Sequence, residues 1–235
     1  MESYLGKYPA LLQGFTLNGY RPIFFDQATG APGELIVRHD VDFDVKLAHD
    51  MSLAEDALGV KATYFFLMRS DSYNPFSRAN AEYIRSIHAR GHRVSIHFDP
   101  THYENIEQGF LEEKTLFESY FGVPVAVMSV HRPNDFLKSC DAPLCGVEHT
   151  YQNKYFKDIK YVSDSQGMFR FGHPFETEEW KQTKAIHLLI HPLWWMFSNT
   201  KDNVDLLDRF VVERTNRFQT HVADNCIPYR SRISS

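Results

Sequence analysis

Short apolar runs alternate along this chain with longer stretches whose apolar residues recur every third or fourth position. The runs at 23–25, 34–37, 61–68, 93–98, 125–130, 159–163 and 185–190 are too short for helices. They are bounded by turn residues, so each predicts a strand. The stretches between them read as helices. Val45, Ala48, Met51, Ala54 and Leu58 share one face, with Gly59 as the stop; 78–89 ends at Gly91; Ile106, Phe110, Phe117 and Phe121 are closed off by Gly122 and Pro124. Residues 205–216 predict a closing helix, and the tail beyond Ile227 is expected to be loose. Residues 3–20 read as an aromatic flap or short helix interrupted at Pro9 and Gly14.

Strands and helices in steady alternation predict an α/β protein with a parallel sheet, either closed as a barrel or open. There is no linker, low-complexity tract or internal repeat. Residues 1–235 are therefore expected to form one domain, with 1–33 as lead-in and 228–235 as tail. A chain this long buries enough surface to need no disulfide staples. Its three cysteines, Cys140, Cys145 and Cys226, are odd in number and irregularly spaced, as free thiols of a reducing compartment are.

The net charge of -5 and the absence of a basic run with interleaved aromatics argue against a nucleic-acid partner. The first residues lack the basic start and apolar run of a signal peptide, and no stretch approaches the ~20 apolar residues of a membrane span. The expectation is a cytoplasmic protein. Its twelve histidines supply both metal ligands and proton carriers.

The chemistry collects where strands end. Asp40 and Asp42, His97, Arg132, Asp164 and His191 all close predicted strands, and active sites of parallel barrels sit on that face. In Arg38-His-Asp-Val-Asp-Phe-Asp44, side chains alternate, so Arg38, Asp40 and Asp42 share one face. Two carboxylates so placed repel unless a cation or a shared proton intervenes. The plainer reading makes Asp44 the N-cap of the next helix and Asp42 a loop residue. Titratable groups brought by several strands to one rim favour an enzyme over a binding module.

In order, the pieces Arg38-His-Asp-Val-Asp42, Gly91-His-Arg-Val-Ser-Ile-His97, Arg132-Pro133, Asp164-Ser165 and Leu189-Ile-His191 span nearly the whole chain. This set resembles the polysaccharide deacetylase superfamily, in a divergent Asp-x-Asp branch associated with surface polysaccharides. The resemblance implies a distorted (β/α) barrel of seven or eight units and a divalent metal, zinc first. It implies metal ligation by Asp42, His97 and a further histidine, with Asp40 as catalytic base and His191 as general acid. Arg132 would orient Asp40, Asp164 would tune His191, and Leu189 would line the acyl pocket.

The family spaces its two histidines as His-x3-His, whereas here Thr101 holds that position and His102 follows. Pro100 makes an irregular turn there, from which His102 is expected to reach the metal, with Asp99 and His131 as substitutes. His88, His92, His173 and His187 read as structural or solvated. Trp194 and Trp195 are either core or, for one of them, a platform under a sugar; Trp194 is taken as the substrate-binding candidate.

The implied reaction is hydrolytic removal of an N-acyl group from a sugar or glycan precursor of O-antigen or capsule synthesis. Hydrolysis of a cyclic amide or imide on the same scaffold is one alternative. A metal-poor module that binds a glycan or a partner without turnover is the other.

Overall fold

The structure, a computed structural model, describes residues 2–132 and 139–233. The chain enters through helix α1 (Tyr8–Leu17) and the short strand β1 (Arg21–Ile23) before β2 (Glu34–Val41), α2 (Val45–Asp56), β3 (Thr63–Phe66), α3 (Arg78–Ala89), β4 (Arg93–Phe98), α4 (Ile106–Phe121) and β5 (Val127–Val130). After the undescribed residues come β6 (Glu148–His149), α5 (Asn153–Phe156), β7 (Lys160–Ser163), α6 (Glu178–Lys181), β8 (Ile186–Ile190), α7 (Pro192–Met196), α8 (Asn203–Asn225) and α9 (Ile227–Ile233).

Among the described residues, seven strands follow one path, β6-β5-β4-β3-β2-β8-β7, and β1 adds to the start of β2. Every pairing is parallel. The path does not close on itself, so the expected distorted barrel is a curled half-barrel, open between β6 and β7. No helix among the described residues is long and apolar enough to cross a membrane.

The central strand explains the layering. All eight residues of β2 are buried, as expected of a parallel strand covered on both faces. Leu35, Val37 and Val41 point outward, into a core shared with Ala48 and Met51 of α2 and with Leu11 and Phe15 of α1. Ile36 points into the hollow, where it forms a floor with Phe25, Phe65, Val127, Tyr155 and Ile159. Arg38 and Asp40 rise above that floor on the same face.

The outward face carries one polar group, His39. Its Nε2 lies 2.6 Å from Glu55 Oε1 and its Nδ1 3.2 Å from the Ile190 carbonyl. The hydroxyls of Tyr8 and Tyr64 donate to the two oxygens of Glu55, each at 2.5 Å.

Three expectations change. Proline stands in the first turn of α1, where its missing N–H costs nothing, and Gly14 lies inside that helix instead of breaking it. A Cβ at Gly14 would come within 2.3 Å of the Phe175 ring, so close packing selects this glycine. The closing helix runs on to Asn225, and part of the supposed tail is α9, with the Arg230 guanidinium donating to the Ala223 carbonyl at 3.0 Å.

Candidate metal centre and catalytic site

Each strand of the hollow delivers a side chain to its C-terminal rim, because alternation along β2, β4, β5 and β8 puts residues 40, 97, 129 and 189 on the concave face. The loops that follow carry Asp42, His131 and His191. Asp44 is indeed the N-cap of α2, accepting from the Leu47 N–H at 3.1 Å. Arg214 and Arg217 of α8 hold its other oxygen at 3.2 and 3.1 Å, so the turn bearing Asp42 is clamped from outside.

Asp42, His97 and His131 bring one ligand atom each to within 4.8 Å of one another, the group of this kind found among the described residues. His97 Nε2 lies 3.2 Å from Asp42 Oδ1 and 3.1 Å from His131 Nδ1. Ser129 Oγ sits 2.6 Å from His97 Nδ1 and fixes that ring from behind. Asp42 Oδ1 is buried and has no hydrogen-bond partner among the described residues. A buried carboxylate oxygen and two imidazole nitrogens, converging with little else to satisfy them, are the donor set of a divalent cation such as zinc. Burial works against ionising Asp42, yet the imidazoles of His97, His191 and His131 hold its pKa below the usual range.

Asp40 lies beside this cluster, 3.7 Å from His97 Nε2. Both its oxygens are held by one guanidinium: Arg38 Nε at 2.9 Å from Oδ1 and Arg38 Nη2 at 2.6 Å from Oδ2. Burial would push the Asp40 carboxyl up, but Arg38 first and then His97 and His191 hold it well below the ordinary carboxylate range.

His191 stands across the hollow, its Nε2 3.9 Å from Asp42 Oδ2. Asp164 binds it twice, at Nδ1 (2.6 Å) and at the backbone N–H (3.1 Å to each oxygen). The indole of Trp195 donates to the same carboxylate at 2.8 Å. Burial alone would lower the His191 pKa; the Asp164 carboxylate overrides it, and the imidazole is pushed up to about 9. It is therefore a cation at neutral pH.

Not every expected residue joins this group. His102 closes a 3-10 turn, Pro100–His102, that Asp99 caps through the Thr101 N–H at 2.9 Å. The turn swings the ring outward: it is 42% exposed, 3.8 Å from Asp99, and His131 takes its expected place in the cluster.

Arg132 does not hold Asp40, whose oxygens Arg38 already occupies. Its side chain is 68% exposed and its Nη1 lies 3.7 Å from Asp99. Pro133 and the Asn-Asp-Phe that follows lie outside the described residues. Leu189 is buried on the concave face of β8, between Arg38 and Ser163 in register. Trp194 is 6% exposed and meets Phe43 edge-on at 6.3 Å, so its ring offers no open face to a sugar.

His187 is fully buried, its pKa lowered to about 3 by burial, and it bonds the Tyr155 carbonyl at 2.9 Å, a structural role. The three cysteines are free.

Two further members of the site carry weak sequence signals. Arg38 is two residues from Asp40, a spacing that puts both on one strand face. Trp195 is four residues past His191 in the first turn of α7, a helical neighbour. Nothing in the sequence marks Ser129, which meets His97 only because β4 and β5 pair in that register.

No family profile and no curated protein matches this sequence. Solved structures do. The chain is similar to the chitin deacetylase from the fungal pathogen Colletotrichum lindemuthianum, at 17% identity and a TM-score of 0.46, over 82% of this chain and 86% of that one. It is similar to the peptidoglycan deacetylase PdaC from Bacillus subtilis at 14% identity and a TM-score of 0.44, over 78% and 83% of the two chains. It is also similar to a CE4 family pseudoenzyme from Bacillus anthracis, at 13% identity and a TM-score of 0.40, over 84% and 65%.

Proposed function

We propose that this protein is a metal-dependent hydrolase of the polysaccharide deacetylase superfamily that removes an N-acyl group from a sugar. One observation carries the reading. A cation-type donor set (Asp42, His97, His131) is flanked on one side by a carboxylate held ionised and on the other by an imidazole held protonated. Two titratable groups with pKa values pushed apart are the arrangement that divides base from acid in one site.

The residues present fit a divalent cation, which when bound supplies Lewis-acid chemistry, polarising an acyl oxygen and bringing the pKa of water to roughly 7. Asp40 is placed to take the proton of the attacking water. Held low by Arg38, it stays ionised at neutral pH and free to accept that proton. His191, on the opposite side and charged at neutrality, gives its Nε2 proton to the departing amine. Asp164 keeps the other ring nitrogen protonated and fixes the ring, while Trp195 fixes Asp164. Leu189 lines the wall where the acyl methyl would lie. The acylated sugar as a precursor of a surface polysaccharide is the substrate class favoured by the sequence motifs.

The test is acetate release from acetamido sugars by protein reloaded with zinc or cobalt, beside a panel of cyclic imides. Expected is metal-dependent amine formation on the sugars alone. Turnover of the imides alone would overturn the substrate. Less than a tenth of an equivalent of metal, with no gain on adding zinc, would replace the enzyme by a binding module.

A further inference from the structure

The open side of the half-barrel has a feature that hydrolysis itself does not use. A cleft of about 240 Å³ lies along β7, and Tyr161 and Ser163, the two concave-face residues of that strand, form one wall. Ser163 pairs in register with Leu189, and the next residue, Asp164, holds His191, so this wall continues into the catalytic rim.

The other wall is the loop after Asp164. Its base is firmly set: the Tyr4 hydroxyl donates to the Gly167 carbonyl at 2.7 Å, and the Phe169 ring packs on Trp195 with centroids 6.2 Å apart. Its outer part is left open. Met168 is 46% exposed and Phe171 97% exposed, and both line the cleft. A large ring held on an anchored loop and left exposed among the described residues is a surface for the apolar face of a sugar or a base.

Charge narrows the ligand further. The chain as a whole is acidic, yet among the described residues the charged ones lining this cleft are Lys160 and Arg170, with no carboxylate. Lys160 is partly answered by Glu179 at 3.4 Å; Arg170 is exposed. Guanidinium next to hydroxyls and an apolar ring matches a sugar attached to a phosphate or carboxylate, which Arg binds through two parallel hydrogen bonds.

We propose that the cleft between β7 and the loop bearing Phe171 is a subsite for an anionic saccharide, in which Phe171 stacks on the ligand and Arg170 pairs with its phosphate or carboxylate. This rests on the deacylase reading in that the subsite would hold the unit joined to the acylated sugar.

Binding is measured by calorimetry in an Asp40→Asn background, so that turnover does not intrude. The probes are UDP-N-acetylglucosamine (phosphate), a tetrasaccharide alternating glucuronate with N-acetylglucosamine (carboxylate), and neutral chitotetraose. One anionic probe is expected to bind at least about tenfold tighter than the neutral one, and which of the two does so identifies the charged group. Arg170→Gln is expected to erase that difference, and Phe171→Ala to weaken the preferred probe about tenfold.

Equal affinity for neutral and anionic probes, no binding of any probe at millimolar concentration, or affinities within about twofold in both variants would each overturn the subsite. Turnover of acetamido sugars by the metal-loaded wild type is scored separately. Turnover without any effect of Arg170 or Phe171 sinks the subsite alone; Arg170-dependent binding without turnover sinks the deacylase reading alone.

Discussion

The two faces of β2 carry two histidine–carboxylate arrangements, separated by the thickness of one strand, and they are built to opposite ends. On the outward face, Glu55 receives His39, Tyr8 and Tyr64, and the second nitrogen of His39 reaches the Ile190 carbonyl. Both oxygens of Glu55 are thereby hydrogen-bonded, with His92 Nδ1 a further 3.5 Å from the second of them. On the concave face, Asp42 Oδ1 has no hydrogen bond among the described residues, and the imidazoles stand off the carboxylate, 3.2 and 3.8 Å from Oδ1 and 3.9 Å from Oδ2. A closed cluster of buried charges fixes structure, whereas an open one keeps unspent bonding capacity that a cation and a substrate can use. The closed cluster is fully buried and saturated, whereas Asp42 and His131 are partly open to the hollow.

The contrast is sharpest if each face is disarmed in turn. Asp40→Asn should lower turnover per folded molecule by on the order of 10² to 10⁴ and, because a neutral amide cannot balance the buried Arg38 guanidinium, should lower the unfolding midpoint as well; steady-state rates beside a melting curve decide it, and unchanged turnover removes Asp40 as base. Glu55→Ala should lower stability alone. Stripping one partner from the closed cluster leaves His39 buried and unpaired, at a cost of about 3 to 5 kcal/mol in urea unfolding. Turnover per folded molecule should survive, and a variant as stable as wild type would show that the cluster is idle.

Glu113 is an intermediate case, since Tyr103 donates to its Oε1 at 2.6 Å but its buried Oε2 has no partner among the described residues. Burial pushes its carboxyl up to about 7, above the 4.5 of an exposed glutamate. The native state therefore keeps this proton longer than the unfolded chain does. The stability it contributes is complete below about 4.5 and is lost as pH rises through about 7. Glu113→Gln should remove that slope, on the order of 3 kcal/mol between the two ends, in denaturant midpoints measured against pH. An identical pH profile in the two proteins would contradict the shift.

Ser129→Ala should weaken zinc binding by about 10- to 100-fold, the usual effect of losing a group that orients a ligand from behind. His102→Ala should change it by less than about threefold, because its ring lies outside the cluster. Competition with a chromophoric chelator ranks the two, and a reversed order would restore His102 as the third ligand.

Much of the fold and of the rim is legible in the chain's local patterns. The alternation of strands and helices specifies a parallel sheet, and helices such as 78–89 and 106–121 are bounded by their glycines. Strand alternation puts Arg38, Asp40 and Asp42 on one face, and the ends of strands point to His97, Asp164 and His191. These features are set by the geometry of a strand or a helix turn, which reaches only a few residues.

The misplaced residues depend on contacts of longer reach. Which arginine holds Asp40, and which histidine completes the trio, follows from how loops leave neighbouring strands. Arg38 wins because two residues along a strand bring side chains together at no cost in chain ordering. His102 loses because a proline-led turn capped by Asp99 aims it at solvent.

The amino-acid order alone settled the elements, their faces and most of the chemistry offered at the rim. The folded molecule decided which of those groups meet, because the pairing of β4 with β5, and of β2 with β8, brings together side chains that no spacing along the chain relates.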